Sequence, residues 1–271
     1  MHHTNKTLSI SILSGKGGVG KTNIALNTAY ALHNAGHNLL LMDCDLGLAN
    51  LDVLLGISPQ HTLLDLLKSD AVPRQIVMKL EHNLDFLPAA TGLPELVELD
   101  EDLQSVLLRK LIALCRPYHF LILDLGAGIN PTVLSFASMS VQKLVVITPE
   151  PTSLTDSYAL IKIMSSRYDC KEFDVVVNMV DNQTEARKAF ERLNGACLKF
   201  LGFGLTYLGS IRNDKAVHEA VRNQVPLVKQ APRSDAGHDI IGLAAKLHKN
   251  RHRLLSTLAG QPALSSSLTR F

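Results

Sequence analysis

Short apolar runs alternate with stretches of helical periodicity along this 271-residue chain. Seven runs have the length and composition of buried strands, which predicts strands at 8–13, 38–42, 84–87, 120–123, 144–148, 173–178 and 206–208. Eight stretches repeat apolar residues at helical spacing, which predicts helices at 21–34, 61–68, 101–115, 131–138, 153–167, 183–199, 214–222 and 236–258. Strands that are apolar on both faces and separated by helices predict an α/β fold, with a mainly parallel sheet covered by helices on both faces.

No Gly/Ser/Pro-rich linker and no internal repeat interrupts this alternation, so a single domain is expected over residues 1–250. Residues 251–271 are expected to form a basic amphipathic or disordered tail. The end of the chain carries a helical apolar stripe formed by Ile240, Leu243, Ala244, Leu247, Leu254, Leu255 and Leu258, flanked by Lys246, Lys249, Arg251 and Arg253. This pattern fits docking on an anionic membrane and fits packing on the sheet equally well.

Composition narrows the class of protein further. Hydrophobic residues make up 46% and charged residues 19% of the chain, which is typical of a well-packed globular protein. No apolar run approaches the ~20 residues of a membrane-spanning helix, and no signal-peptide pattern precedes the first strand. The scattered cysteines, Cys44, Cys115, Cys170 and Cys197, predict no disulfide framework and favour a cytoplasmic location. The histidine pairs His33/His37 and His248/His252 are expected on solvated helix surface.

Residues 15–22 form a complete phosphate-binding loop between a predicted strand and a predicted helix. The loop consists of Gly15, Lys16, Gly17, Gly18, Val19, Gly20, Lys21 and Thr22. Its glycines let successive backbone N–H groups turn toward an anion, and the helix N-terminus adds its dipole. Lys21 is expected to reach the β- and γ-phosphates of a nucleotide, and the Thr22 hydroxyl to bind Mg²⁺. Lys16 is an additional cation that a phosphate-binding loop alone does not require.

Acidic residues follow two predicted strands, at the ends where a parallel sheet binds ligands. Asp43 and Asp45 come after the strand at 38–42, and Asp124 comes after the strand at 120–123. One of Asp43 and Asp45 is expected to support Mg²⁺ and the other to orient the attacking water, while Asp124 holds the metal directly or through water. The structural alternatives are helix capping by Asp45 and turn capping by Asp124.

The same loop fits a second class of enzyme. Gly15, Gly17 and Gly20 satisfy the G-x-G-x-x-G pattern, and Asp43 lies roughly where dinucleotide-dependent oxidoreductases carry the acid that binds ribose. That class has no use for adjacent Lys21 and Thr22 or for a further acid at position 124. No set of residues for hydride transfer is evident either, so a nucleoside-triphosphate site is favoured.

Taken together, the loop and the segments 43–52 and 124–128 resemble those of the MinD/ParA deviant-Walker ATPases. Segments 148–162, 177–180 and 220–234 are similar to the flagellar-number regulators FlhG and FleN within that family. The likeness covers about residues 8–250. It implies ATP and Mg²⁺ as cofactors, slow hydrolysis, and an ATP-dependent homodimer in which Lys16 reaches the nucleotide of the other subunit.

The resemblance also implies individual roles. Lys16, Lys21 and Asp45 form the catalytic set, with Asp45 orienting water, and Thr22, Asp43 and Asp124 support Mg²⁺. Asn178 contacts adenine, and the loop at 211–214 closes over the base. Arg212, in that loop, stands where relatives often have proline and is assigned to the same pocket.

The function implied is a dimerising switch ATPase that controls the number or placement of flagella. Septum placement, as in MinD, and partitioning, as in ParA, are the alternatives; DNA is not expected as a partner, since no basic DNA-binding motif is evident. The implied partners are a flagellar GTPase, a switch-complex protein or a transcription activator, with a peripheral contact at the inner face of the cell membrane. Homologues that activate the GTPase use an N-terminal extension, and the seven residues before Leu8 argue against that activity.

Overall fold

A computed structural model of the chain describes residues 6–45, 50–68, 72–89 and 101–265. Its strands are β1 Leu8–Leu13, β2 Leu39–Cys44, β3 Met78–Glu81, β4 Leu84–Leu87, β5 Phe120–Leu125, β6 Gln142–Ile147, β7 Asp174–Val180 and β8 Thr206–Arg212. They form one sheet in the order β3-β4-β2-β5-β1-β6-β7-β8. Every neighbouring pair is parallel except β3 and β4, which run antiparallel. The predicted α/β fold is confirmed.

The helices are α1 Lys21–Asn34, α2 Leu51–Leu55, α3 Pro73–Ile76, α4 Glu101–Cys115, α5 Pro131–Met139, α6 Pro151–Tyr168, α7 Gln183–Leu201, α8 Lys215–Arg222, α9 Leu227–Gln230 and α10 Asp235–Leu258. A 3₁₀ helix, Leu63–Leu67, stands where the sequence predicts a helix at 61–68. Buried side chains of α1, α9 and α10 belong to one core cluster, and those of α4, α5, α6 and α7 belong to the other. Helices therefore cover both faces of the sheet.

Each interior strand contributes side chains to both core clusters because successive side chains point to opposite faces of the sheet. In β2, Leu39 and Leu41 pack with α1, whereas Leu40 and Met42 pack on the other face, and all four are fully buried. Each such side chain contributes about 1.5–3 kcal/mol relative to an exposed one. This double burial gives the strands the continuous apolar character from which they are predicted.

Helix α10 continues past residue 250 without a break and packs on the domain. Its apolar stripe is occupied by the core, since Ile240, Leu243 and Leu247 are buried in the cluster that includes α1. Beyond residue 250, Arg251 is buried and its guanidinium donates hydrogen bonds to the carbonyls of Lys6 and His119. Ala263 and Leu264 are buried as well, and the backbone N–H of Ser265 donates to Met139. The residues described beyond 250 thus continue α10 and pack against the domain, while the division of the chain at residue 250 stays a prediction. No helix among the described residues has the length and apolar character needed to span a membrane.

Candidate nucleotide-binding site

The phosphate-binding loop joins β1 to α1 and leaves room on its outer side. A Cβ atom built on Gly17 or Gly18 would meet no other atom within 4 Å. Gly20 precedes α1 with a positive φ of 88°, and no side chain caps the first backbone N–H groups of that helix. Uncapped N–H groups at a helix start favour an anion. Lys21, in the first turn, is buried beside them, so the loop has the space, the donors and the cation that a phosphate requires.

Two other elements support the loop from behind and explain its tightest glycines. A Cβ atom on Gly15 would lie 2.1 Å from the carbonyl carbon of Asp156, in α6. A Cβ atom on Gly20 would lie 2.4 Å from the side-chain nitrogen of Asn178, at the end of β7. Neither distance leaves space for a side chain. The backbone of α6 therefore requires glycine at position 15, whereas at position 20 the positive φ of 88° favours glycine and the Asn178 side chain adds to that restriction.

Asp43 and Asp124 lie side by side on the paired strands β2 and β5, and both are almost fully buried. Asp43 accepts hydrogen bonds from the backbone N–H groups of Asp45, at 2.9 Å, and of Asn50 and Leu51. Burial raises the pKa of Asp43 to about 6, although these hydrogen bonds oppose the shift. Burial and the adjacent charge of Asp43 raise the pKa of Asp124 to about 7, against the opposing effect of Lys21 and Thr22. Two adjacent buried carboxylates make this a strong site for a cation.

The donor set fits Mg²⁺. One carboxylate oxygen of Asp124, Oδ1, is buried without a hydrogen-bond partner among the described residues. The Thr22 hydroxyl interacts with the same carboxylate, so the three predicted metal ligands converge. Mg²⁺ is usually bound by one or two carboxylates together with substrate phosphates and water, and Asp43 and Asp124 can supply those carboxylates.

Asp45 lies next to the loop that follows β5. A Cβ atom on Gly126 would come within 3.3 Å of its carboxylate oxygen Oδ1. The same loop is tied to the end of β1, because the N–H of Gly128 donates to the carbonyl of Ser14 at 2.9 Å. The ends of three neighbouring strands thus meet around the phosphate-binding loop, as the sequence predicts. Residues 46–49 of the segment that includes Asp45 lie outside the described residues.

Lys16 is held within its own chain. Its Nζ donates to Glu150 Oε2 at 2.5 Å and to the Thr152 hydroxyl at 2.9 Å, at the start of α6. The pair is accessible, with 37% of the Lys16 side chain and 63% of the Glu150 side chain exposed. Sequence reasoning did not anticipate these partners. The available signal is an acid directly before Pro151, which marks a strand-to-helix junction at the ligand-binding end of the sheet.

Asn178 and Arg212, both predicted to bind the base, have different surroundings. The Asn178 side chain is buried and donates to the carbonyl of Val19 at 2.8 Å, which fixes it to the phosphate-binding loop. Its neighbour Met179 adopts a left-handed backbone conformation, with φ 57°, where the register between β7 and β8 shifts. Strain of this kind is common at ligand sites.

Arg212 is directed toward α10. Its guanidinium donates two hydrogen bonds to the Asp239 carboxylate, at 2.8 and 2.9 Å, and two to Asp235, to the carboxylate at 2.6 Å and to the backbone carbonyl at 3.2 Å. Its backbone N–H also donates to Asp239 at 3.0 Å. A guanidinium engaged in this way anchors the loop at 211–214 to α10. The side chain has no donor pair left that is aimed at a base.

The ParA family model, described as an NUBPL iron-transfer P-loop NTPase, matches residues 5–248. The chain belongs to the ParA family of P-loop NTPases. The predicted ATPase activity agrees with this membership. The predicted likeness to FleN is confirmed: antiactivator FleN of Pseudomonas aeruginosa is 36% identical over 238 residues, covering 88% of this chain and 85% of FleN.

Two further proteins are similar to this chain over most of their length. The flagellum site-determining protein YlxH of Helicobacter pylori is 35% identical over 239 residues, covering 83% of this chain and 76% of YlxH. The septum site-determining protein MinD of Pyrococcus horikoshii, solved in complex with Mg-ADP, superimposes with a TM-score of 0.70 at 26% identity. That match covers 90% of this chain and 97% of the MinD chain.

Proposed function

We propose that this ParA-family protein is a Mg-ATP-dependent switch that dimerises when it binds ATP and controls the number or placement of flagella. The flagellar output is supported by FleN and YlxH, whose names describe an antiactivator and a flagellum site-determining protein. The switch is supported by one observation above all, the accessible position of Lys16 beside the phosphate-binding loop.

ATP is the substrate of this site, and the chain supplies its binding and orientation. The backbone N–H groups of the loop and Lys21 bind the phosphates, and Asp45 orients the attacking water. Thr22, Asp43 and Asp124 would hold Mg²⁺, which neutralises charge that develops on the transferred phosphoryl group. Hydrolysis by positioning and charge neutralisation needs no further catalytic group.

Dimerisation is argued from the partners of Lys16. Its ion pair with Glu150 is largely exposed, and such pairs contribute only about 0–1 kcal/mol. A triphosphate presented by a second subunit carries more charge and more acceptor oxygens than one carboxylate. Lys16 therefore leaves Glu150 and binds the phosphates of the partner's nucleotide at little cost in free energy. Because ATP then binds the dimer more tightly than the monomer, it shifts the equilibrium toward the dimer.

The decisive test is Lys16→Ala, with Lys162→Ala as a matched control on the exposed surface of α6. The Lys16→Ala variant is expected to bind ATP as the wild type does but to stay monomeric in size-exclusion chromatography with light scattering. The control is expected to dimerise with ATP. An Lys16→Ala protein that forms the wild-type amount of dimer rules out the proposed contact between subunits.

A second variant, Asp45→Ala, separates binding from hydrolysis. Because Asp45 orients water and is not assigned to phosphate binding, ATP-bound dimers are expected to accumulate while phosphate release falls by at least about 100-fold. Phosphate release and dimer fraction are measured in the same sample. A monomeric Asp45→Ala protein in the presence of ATP would contradict this assignment.

Septum placement is the alternative output, supported by the MinD structure. The two functions predict different phenotypes when the gene for this protein is deleted in the source organism. Loss of this protein is expected to change flagellar number or position with division sites unaffected, and misplaced septa would favour the alternative. The partner classes proposed for the flagellar role are a GTPase, a switch-complex protein and a transcription activator.

A peripheral membrane contact through α10 stays a prediction. Its apolar stripe is buried, so the exposed cations Lys249 and Arg253 would have to supply most of the attraction to anionic lipid. Sedimentation with anionic vesicles tests this contact directly.

A further inference from the structure

A large cleft lies at the opposite end of the sheet from the phosphate-binding loop. Gln142, Asp174 and Thr206, the first residues of β6, β7 and β8, lie along it, and α10 forms one wall. The cleft has a volume of about 1720 Å³, whereas small-molecule sites usually measure about 300–1,000 Å³. We infer that this cleft binds an acidic, partly apolar segment of a partner protein.

The charge of the cleft favours an acidic ligand. Its lining includes five cationic side chains, Lys143, Lys171, Lys246, Lys249 and Arg253, against the two acids Glu172 and Asp174. One of the acids, Asp174, accepts a hydrogen bond from Gln142 at 2.6 Å, and one of the cations, Lys171, pairs with Asp169 outside the lining. The cleft therefore carries an excess of positive charge in a chain whose formal net charge is only +2.

Most of these cations are held by neutral oxygens. Lys143 donates to the carbonyl of Ser140 at 2.8 Å, and Lys246 donates to the carbonyl of Leu208 at 2.5 Å. Arg253 donates to the side chain of Asn250. Within the described residues, Lys143, Lys246 and Arg253 form no ion pair with a carboxylate at contact distance. Glu172 acts on Lys143 and Arg253 acts on Asp174 over a longer distance, so it is the excess positive charge of the lining as a whole that is available to carboxylates of a ligand.

The floor of the cleft is suited to a polypeptide. Val141 and Leu254 line it as half-buried apolar side chains that keep some exposed surface. An apolar floor beneath a cationic rim matches a segment that combines acidic and apolar side chains.

Two other anionic partners fit less well. A bilayer surface is flat and cannot fill a concave cleft, while duplex DNA offers no apolar side chains for the floor. The nucleotide site lies at the other end of the strands, so this inference does not depend on the proposed ATP-dependent dimer. It competes with the proposed membrane contact of α10, which would use the same Lys249 and Arg253. Its test can fail while the ATP-dependent dimer is retained.

The experiment screens a display library of short random peptides for binding to the full-length wild-type protein and to a double variant, Lys249→Glu with Arg253→Glu. Both side chains are exposed on α10, so the fold is expected to persist, and a thermal melt verifies it. Lys188→Glu/Arg192→Glu, an equal charge change on exposed positions of α7, is the matched control. A selected peptide is then synthesised and titrated by fluorescence polarisation.

Peptides rich in Asp and Glu together with large apolar residues are expected from the wild type. Such a peptide should bind at least about tenfold more weakly to the cleft variant, since two attractive charges become repulsive, and equally well to the control. Equal binding to all three proteins, or selection of peptides without acidic character, overturns the inference. Anionic vesicles and a DNA duplex are tested in parallel; stronger cleft-dependent binding of either one also overturns it.

Discussion

Asp124 is expected to lower the stability of the nucleotide-free protein and to contribute to cation binding. It is buried beside Asp43, one of its oxygens has no hydrogen-bond partner among the described residues, and burial raises its pKa to about 7. A residue that is unfavourable in the nucleotide-free protein and well placed for a cation is typical of a metal-binding position.

The Asp124→Asn substitution is expected to separate these two effects. It removes the repulsion with Asp43, so the nucleotide-free protein should melt a few degrees higher, at about 2–4 °C for each kcal/mol gained. Mg²⁺-dependent ATP hydrolysis should fall by at least about tenfold, because a charged ligand is lost. Calorimetry and phosphate release measure the two quantities. A variant that is less stable and fully active would contradict the assignment.

Glu150 is a site residue that the sequence pattern does not predict. The phosphate-binding loop and the acids at 43 and 124 are predictable because each follows a strand in a local pattern. The pairing of Lys16 with Glu150 joins side chains 134 residues apart, and it depends on how α6 packs against the loop. The Arg212 contact with Asp239 depends in the same way on the position of α10. Periodicity carries no information about such contacts.

At the scale of elements, interior strands were predictable and the two edge strands only in part. β1 matches its predicted range, and β5 extends past its range because Asp124 is a buried polar residue inside the strand. β7 and the edge strand β8 also extend beyond the ranges predicted for them. β3 was missed because it is an edge strand with partly exposed side chains, paired only with β4. The short helices α2, α3 and α9 were missed as well, since four or five residues give no clear period.

The loop at 211–214 offers a prediction at this scale. Arg212→Met removes the contacts with Asp235 and Asp239 but keeps a long side chain. The variant is expected to lose about 1–3 kcal/mol of unfolding free energy, while its affinity for ATP relative to GTP stays unchanged. Urea unfolding and nucleotide titrations provide the measurements. A change in base preference with unaltered stability would support direct contact with the base, as the family resemblance implied.

Across the whole molecule, a cluster of histidines joins distant parts of the chain. His37 Nε2 lies 2.7 Å from His248 Nδ1, and His37 Nδ1 lies 3.4 Å from His119 Nδ1. These residues link the segment before β2, the segment before β5 and α10. The expectation of solvated surface was wrong for His37, which is only 8% exposed. Burial, assisted by the positive charges of neighbouring His248, His119 and Arg251, lowers its pKa to about 4.

This shift predicts that His37 contributes less to the stability of the fold in acid. In the unfolded chain His37 takes up a proton near its ordinary pKa of 6.5, whereas in the folded protein it does so only near 4. At this residue the unfolded state therefore binds more protons between these values, so the contribution of His37 to stability falls as the pH decreases through that window. The lowered pKa of His119 acts in the same direction. Asp43 and Asp124, whose pKa values are raised, contribute with the opposite sign.

His37→Gln is expected to flatten this pH dependence, and His218→Gln, at an exposed position on α8, is expected to leave it unchanged. Urea unfolding across the window measures the slope for each protein. A slope that is identical in the wild type and His37→Gln would show that protonation occurs elsewhere.

The close approach of Gly15 to the backbone of Asp156 fixes one side of the phosphate-binding loop. With no gap for even a methyl group, the phosphate-binding loop and α6 cannot slide apart without breaking their packing. We therefore expect nucleotide to bind and leave without separating this loop from α6, and any rearrangement to fall on Asp45 and the turn at 126–128, which lie next to each other.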